Sequence, residues 1–440
     1  MRPALLTATL LLVSGSPAQQ LPVSSHKLSN GMRILIHEDH DIPNVALYLF
    51  FQVGSRNERS GATGMSHFFE HMMFNGARKY GPKQFDIQME NAGGSNNAYT
   101  SFDVTVYTDW FPASALELMF DMEADRIQNL AFDPKMIESE RGVVYSERRL
   151  RVDNSNSGAV VEQLYAAAFQ THPYHWPVIG WAADIENWKI GDLKEHFRMG
   201  YAPNNCVAVV AGAIREADVM RLARKYLEPI SPHDPPPPVH AREPQQLGER
   251  RVEIRKPAQA PMLAAGYHVP ETRHPDTPAL EMLARILSAG RSSRLYRRLV
   301  DHDQSVLEVS VDLQETLDPG LMMLFAQLRP GAKPEAVEQA VEEEIDRLRR
   351  EPPSTAELEK GRNQALTAFY RSLRTISGKA NALGRAEIFR GGHLKLGSYA
   401  ADMRRVTAQD VSTAAARYLL RRNRTVVTLI PEASGPEALP

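Results

Sequence analysis

Near the middle of the 440-residue chain, Ser231-Pro232-His233-Asp234 runs into four successive prolines, Pro235 to Pro238. Proline fixes φ and gives up its backbone donor, so this stretch can continue neither a helix nor a central strand. It favours an extended, semi-rigid linker, taken here as residues 231–246. Parts of nearly equal length remain on either side, 19–230 and 247–440. A chain this long exceeds one ordinary core, so two domains are expected.

Equal halves invite a search for repetition. Asp192-Leu193 opens an amphipathic segment reaching Tyr201, and Asn205 then precedes the apolar run Val207 to Val210. Asp410-Val411 opens a similar segment reaching Tyr418, and Asn423 precedes Val426 to Leu429. Both pairs of markers, Asp192 with Asp410 and Asn205 with Asn423, lie 218 positions apart. Each half thus closes with a helix leading into a strand. Because such endings are common, this register alone leaves duplication and coincidence both open.

Strands and helices alternate within the halves. Ala46 to Phe51 and Val104 to Thr108 have the β-branched and aromatic content of strands. Ala115 to Ile127 and Pro334 to Leu348 carry apolar residues at helical spacing, and Ser354 with Glu357 forms a capping box for a further helix. The expected class is α+β, with two layers in each domain.

Composition excludes several functions. The formal net charge of -2, from 51 Lys and Arg against 53 Asp and Glu, gives no reason to expect nucleic acid or an anionic membrane surface. Cys206 is the single cysteine, so no intrachain disulfide forms, and a bound metal must be held by histidines and carboxylates. At the N-terminus, Met1-Arg2, the apolar run Ala4 to Val13 and Ser16-Pro17-Ala18 read as a secretory signal peptide over residues 1–18, which predicts a periplasmic or secreted protein. A retained anchor or a buried helix is the alternative. Nothing later in the sequence approaches a membrane span.

Residues 67 to 71 read His67-Phe68-Phe69-Glu70-His71. Positions i and i+4 of a helix share a face, so the two imidazoles can converge on one ion, and the carboxylate of Glu70 can reach the edge of the same site. The order inverts the common His-Glu-x-x-His arrangement. Phe68, Phe69, Met72 and Met73 offer apolar surroundings. The competing reading is a helix that carries two histidines and a glutamate by chance.

Such a site needs a third ligand. Asp133-Pro134 is a good helix start, with an acceptor at the cap and proline at the first position. The stretch that follows contains Glu138, Glu140 and Glu147. Glu140 and Glu147 are seven apart, nearly two turns, and share a face, so one could bind metal while the other supports it. A solvated acidic helix fits the same periodicity.

The spacing His67-x-x-Glu70-His71 followed by Glu140-Arg141-Gly142-Val143-Val144-Tyr145-Ser146-Glu147 resembles the pitrilysin/insulinase family of metallopeptidases, which includes the mitochondrial processing peptidases. Further matches are Gly93-Gly94-Ser95-Asn96-Asn97-Ala98-Tyr99-Thr100 with Asp103 and Thr105, and His172-Pro173-Tyr174 with Pro177-Val178-Ile179-Gly180. The resemblance implies a zinc endopeptidase with one Zn²⁺ per chain, held by His67, His71 and Glu147. Glu70 would be the general base, and Glu140 would sit near the metal and assist catalysis. It also implies two homologous domains, each a mainly antiparallel sheet packed with helices, and a substrate lying extended along a sheet edge. Asn97 and Ala98 match the residues that touch that substrate, although turn geometry after the glycine pair accounts for Asn97 equally well.

One departure bears on partners. Many active members of the family carry an Arg and a Tyr seven residues apart in the later domain. Continuing the alignment from Gly290-Arg291-Ser292-Ser293-Arg294-Leu295-Tyr296 puts Val300 and Leu307 at those places. Arg294 and Tyr296 are wrongly spaced, and a packing role is expected for them. The chain therefore resembles the metal half of a heterodimer whose homologous, metal-free partner supplies the pair. A non-catalytic assembly subunit and a homodimeric peptidase are the alternatives.

Overall fold

A computed structural model describes residues 21–432. The signal-peptide reading of residues 1–18 lies outside the described residues. Two sheets make up the framework. The first contains β1 (Ser24–Lys27), β2 (Arg33–Glu38), β3 (Asn44–Phe51), β4 (Ser95–Thr100), β5 (Thr105–Pro112) and β6 (Cys206–Gly212), in the order β1-β2-β6-β3-β5-β4. The second contains β7 (Arg250–Pro257), β8 (Met262–Val269), β9 (Val306–Leu313), β10 (Gly320–Leu328) and β11 (Arg424–Glu432), in the order β7-β11-β8-β10-β9.

Taking β2 to β6 as β7 to β11 reproduces the strand order of one sheet in the other. β6 runs parallel to β2 and antiparallel to β3, just as β11 runs parallel to β7 and antiparallel to β8. The closing units correspond as well. Helix Ile190–Gly200 passes through a short turn at Pro203–Asn205 into β6, and helix Ala408–Tyr418 passes through Arg421–Asn423 into β11. The α+β expectation is met, with one parallel pair of neighbours inside each mainly antiparallel sheet. Between Ser231 and Glu249 there is no helix or strand, and Asn204 pins this stretch by hydrogen bonds to both backbone groups of His233 (2.7 and 3.1 Å).

The strand β6 is buried at every residue. Such uniform burial requires cover on both faces of the sheet. One face, with Leu47, Leu49, Phe51 and Val210, packs on helices of its own half, including Leu116–Asn129. The other face, with Ala46, Phe50, Val207 and Val209, packs on Leu383, Ala386 and Phe389 of helix Ile376–Phe389, which comes from the second half. The second sheet mirrors this. Val160 and Leu164 of helix Asn156–Ala168 cover its Ala264, Val427 and Leu429. Each half therefore lends a helix to the other's sheet. Among the described residues, no helix is long and apolar enough to cross a membrane.

Candidate metal centre

The histidine helix, Met65–Met72, begins at Gly64, whose φ of +87° suits glycine. Its free N-terminal donors meet a buried carboxylate: Glu58 accepts from the backbone N–H of Gly64 (2.6 Å) and of Ser66 (2.7 Å). Burial pushes the Glu58 pKa up to about 7 against the pull of those bonds. Phe68, Phe69, Met72 and Met73 turn into the core of the first sheet. His67 and His71, one turn apart, bring their ring centroids to 4.8 Å.

The glutamate helix, Pro134–Arg148, starts as its sequence predicts, with Asp133 accepting from Lys135 N (2.8 Å) and Met136 N (3.1 Å). Its three candidate acids part company. Glu138 is exposed and pairs with Arg141. Glu147 Oε2 lies 3.6 Å from His67 Nε2 and 3.3 Å from His71 Nε2. Glu140 lies behind, its Oε1 2.8 Å from His71 Nδ1 and its Oε2 accepting from Asn75 Nδ2 at 2.7 Å.

One ligand atom from each of His67, His71 and Glu147 lies within 4.8 Å of the others. Ligand atoms about 2.0–2.1 Å from a tetrahedral zinc sit roughly 3.4 Å apart. The two measured nitrogen–oxygen separations bracket that spacing, and the His₂Glu donor set leaves a fourth position open. Zinc fits these residues.

The two imidazoles differ in charge. Burial, and then the neighbouring His71, push His67 down to about 4. Burial also opposes charge on His71, yet the hydrogen bonds to Glu140 and Glu147 hold its pKa up at about 9. The hydrogen bond to His71 in turn keeps Glu147 below the usual carboxylate range. Without metal the pair thus carries one positive charge at neutral pH, a charge that a bound cation would displace.

Glu70 is half-buried, and burial raises its pKa. Thr100 Oγ1, at the end of β4, donates to Glu70 Oε2 at 2.6 Å. β4 is the outer strand of its sheet, paired there with β5 alone. Asn97 stands exposed on it, with Oδ1 accepting from Ala98 N at 2.9 Å, and Ala98 is half-buried. Both residues therefore belong to a strand edge that leads to Glu70, and not to the turn.

Other residues singled out from sequence lie elsewhere. Tyr174 donates to Asp103, and Asp318 of the second half accepts from Arg56 (2.5 Å) and faces His172 Nε2 at 3.1 Å, a polar cluster joining the halves. Arg294 is engaged by Glu357 (2.7 and 3.1 Å), Val300 packs against the second core, and Leu307 is exposed. Asn75 and Arg151, whose Nε lies 2.9 Å from Glu147 Oε1, escaped the sequence reading, and Thr100 entered it only as the end of a matched stretch, without a role. Arg151 alone had a signal, its position four residues after Glu147.

Residues 33–180, which include His67, Glu70, His71, Glu140 and Glu147, match the family described as insulinase (peptidase family M16), and residues 187–365 match the peptidase M16 inactive domain. The chain is 30% identical over 354 residues to the zinc protease PqqE of Helicobacter pylori, covering 80% of each. It resembles the crystal structure of a protease from Helicobacter pylori with a TM-score of 0.91 and 28% identity, covering 94% of this chain and 100% of that one. The periplasmic protease PqqL from Escherichia coli shares the fold at a TM-score of 0.76 and 18% identity, over 93% of this chain and 48% of its own.

Proposed function

This chain belongs to the insulinase family of peptidases, family M16, and from that premise we propose that it is a zinc-dependent endopeptidase acting on extended peptides or unfolded polypeptides. The observation that carries the reading is the convergence of His67 Nε2, His71 Nε2 and Glu147 Oε2, with a second carboxylate, Glu70, on the same helix as the histidines. We assign residues 19–230 as the catalytic domain, 231–246 as the linker and 247–440 as its metal-free homologue.

A zinc ion held there would polarise the scissile carbonyl and acidify a water molecule. Glu70 takes the proton of the attacking water and hands it to the leaving amine, a relay favoured by its raised pKa. Since Thr100 occupies Oε2, the proton travels on Oε1. Glu140 holds His71 through Nδ1, which turns the Nε2 lone pair toward the ligand point. Asn97 and Ala98 bind the substrate main chain as it adds to the free edge of β4, a mode that reads backbone more than side chain.

Val300 and Leu307, standing where an Arg and a Tyr would serve the substrate, support a heterodimer in which a homologous metal-free subunit brings that pair. A periplasmic or secreted setting follows from the leader-like residues 1–18 and agrees with the periplasmic protease PqqL. The test is cleavage of a quenched, unfolded peptide by the purified chain alone, with its candidate partner, and with partner plus chelator, alongside zinc content. One zinc per chain and chelator-sensitive cleavage that needs the partner are expected. Cleavage indifferent to chelator overturns the zinc reading, and full activity of the chain alone overturns the heterodimer.

A further inference from the structure

Each of the two inward glutamates is followed directly by an arginine: Glu140-Arg141 and Glu147-Arg148. One residue along a helix is a rotation of about 100°. The arginines therefore leave the helix on a different face from the site, and both reach a single segment, residues 180–188. Arg148 is buried, and its Nη1 donates to Gly180 O at 2.7 Å. Arg141 Nη2 donates to Trp188 O at 2.8 Å, and its Nη1 donates to Ile185 O.

The same segment grips the start of the histidine helix. Trp188 Nε1 donates to Thr63 O (2.9 Å), Trp181 N donates to Thr63 Oγ1 (2.9 Å), and Thr63 N and Oγ1 both donate to Asp184 Oδ2 (3.1 and 2.7 Å). At its head two glycines pack backbone to backbone. A Cβ on Gly64 would fall 2.5 Å from Ile179 O, and one on Gly180 would fall 2.6 Å from Thr63 O. Both glycines have a φ of +87°. This explains why the motif Pro177-Val178-Ile179-Gly180, which among the described residues makes no hydrogen bond to His67, Glu70, His71, Glu140 or Glu147, ends in glycine.

We propose that residues 180–188 form a clamp that sets the roll and separation of the histidine and glutamate helices, with Arg141 and Arg148 as the positioning residues for Glu140 and Glu147. The two helices also pack directly, with Ile137 and Val144 of the glutamate helix buried in the same core as Phe68 and Met72. Two arginine anchors nearly two turns apart, bound to backbone carbonyls of one segment, add directional restraints on roll that apolar packing alone does not supply. Arginine suits the task because its planar fork holds Gly180 O and Glu162 together: Nη1 and Nη2 reach the Glu162 carboxylate at 2.8 and 3.2 Å. A lysine offers one point charge and cannot reproduce that fork.

The clamp rests on the proposed metal centre, so its test begins with zinc binding by the wild-type chain, measured by competition with a chromophoric chelator. The variants are Arg141→Lys and the charge-neutral pair Arg148→Gln with Glu162→Gln, which leaves no buried carboxylate unpaired. The control is Val341→Ala, in the core of the second half, which lowers the urea midpoint and sits in a cluster that holds no clamp residue and none of helix Asn156–Ala168. Each clamp variant is expected to weaken zinc binding several-fold, up to about tenfold, and to shift the visible absorption of the cobalt-substituted protein, a smaller loss than the roughly 10–100-fold that follows removal of a group bonded directly to a ligand. The control should keep wild-type affinity and spectrum. Wild-type affinity and an unchanged cobalt spectrum in both clamp variants would overturn the clamp while leaving the metal centre intact. So would an equal loss of zinc in the control, which would mark the arginines as general stabilisers. A wild-type chain that binds no zinc defeats the proposed function itself.

Discussion

His71 gives its Nδ1 proton to Glu140 across 2.8 Å, so the nitrogen it presents to Glu147, 3.3 Å away, is Nε2. Burial opposes ionisation of Glu140, but the hydrogen bonds from His71 and Asn75 hold its carboxyl below the usual range. An ionised carboxylate only accepts, so the Nδ1 proton stays on His71, and Nε2 is the nitrogen that would give up its proton to bind a metal. A Glu140→Gln substitution keeps the shape and loses the charge. It should weaken zinc binding about 10–100-fold, read by competition with a chelating dye. Asn75→Ala, which removes one bond to Glu140 and leaves its charge, should cost less.

Glu70 holds no ligand atom in the cluster formed by His67, His71 and Glu147. Its replacement by glutamine should leave zinc content at the wild-type level while peptide cleavage falls by about 10²–10⁴-fold. Glu147→Ala should lose the zinc as well as the activity. Measuring metal and turnover on the same preparations separates the two roles, and turnover surviving in the glutamine variant would show that another group moves the proton.

Much of this was legible in the sequence, for local reasons. The pair His67 and His71, the start at Asp133-Pro134 and the capping box of Ser354 with Glu357 depend on helical spacing, which a sequence displays directly. The 218-residue register became two matching helix-to-strand units because the apolar runs Val207 to Val210 and Val426 to Leu429 are central strands. What covers those strands was not legible. Burial of Val207 and Val209 on one face and Val210 on the other calls for two layers of cover, but no periodicity says that one layer comes from residues 376–389. Arg126 was hidden in the same way. With Glu123 it has the i, i+3 spacing of a surface ion pair, yet both are buried, the guanidinium lying 4.2 Å from the Phe85 ring centroid and 4.5 Å from that of Tyr107.

His196 predicts acid sensitivity. It is buried behind the histidine helix with Nε2 2.9 Å from Ser66 Oγ, and burial pushes its pKa down to about 3. In the unfolded chain a histidine titrates near 6.5. Between these values the unfolded chain holds a proton that the folded chain refuses, so stability is fully present above about pH 6.5 and is lost as pH falls toward 3. The loss from this residue is about 2 kcal/mol by pH 5. Urea midpoints at pH 7 and pH 5 should fall more steeply for the wild type than for His196→Gln. Equal falls would assign the acid sensitivity to other groups.

The exchanged helices make a prediction about the halves themselves. The outer face of the first sheet presents Ala46, Phe50, Val106 and Val209, all buried under helix Ile376–Phe389, and Gly384 comes so close that a Cβ there would stand 2.0 Å from the Phe50 ring. Exposing a large apolar side chain costs about 1.5–3 kcal/mol, so baring several at once rivals the whole stability of a domain. A chain truncated after residue 246 should therefore not fold as a soluble unit, even though it contains every residue of the metal centre. It should bind a hydrophobic dye and aggregate, and supplying residues 247–440 as a separate chain should rescue it. In the intact protein a Gly384→Val substitution should cost about 1–3 kcal/mol by overpacking, and it should lower both halves together in one transition, because the helix it displaces belongs to one half and the face it bares to the other. Two separate transitions in a melt followed by tryptophan fluorescence and by heat capacity would show instead that each sheet holds its own cover.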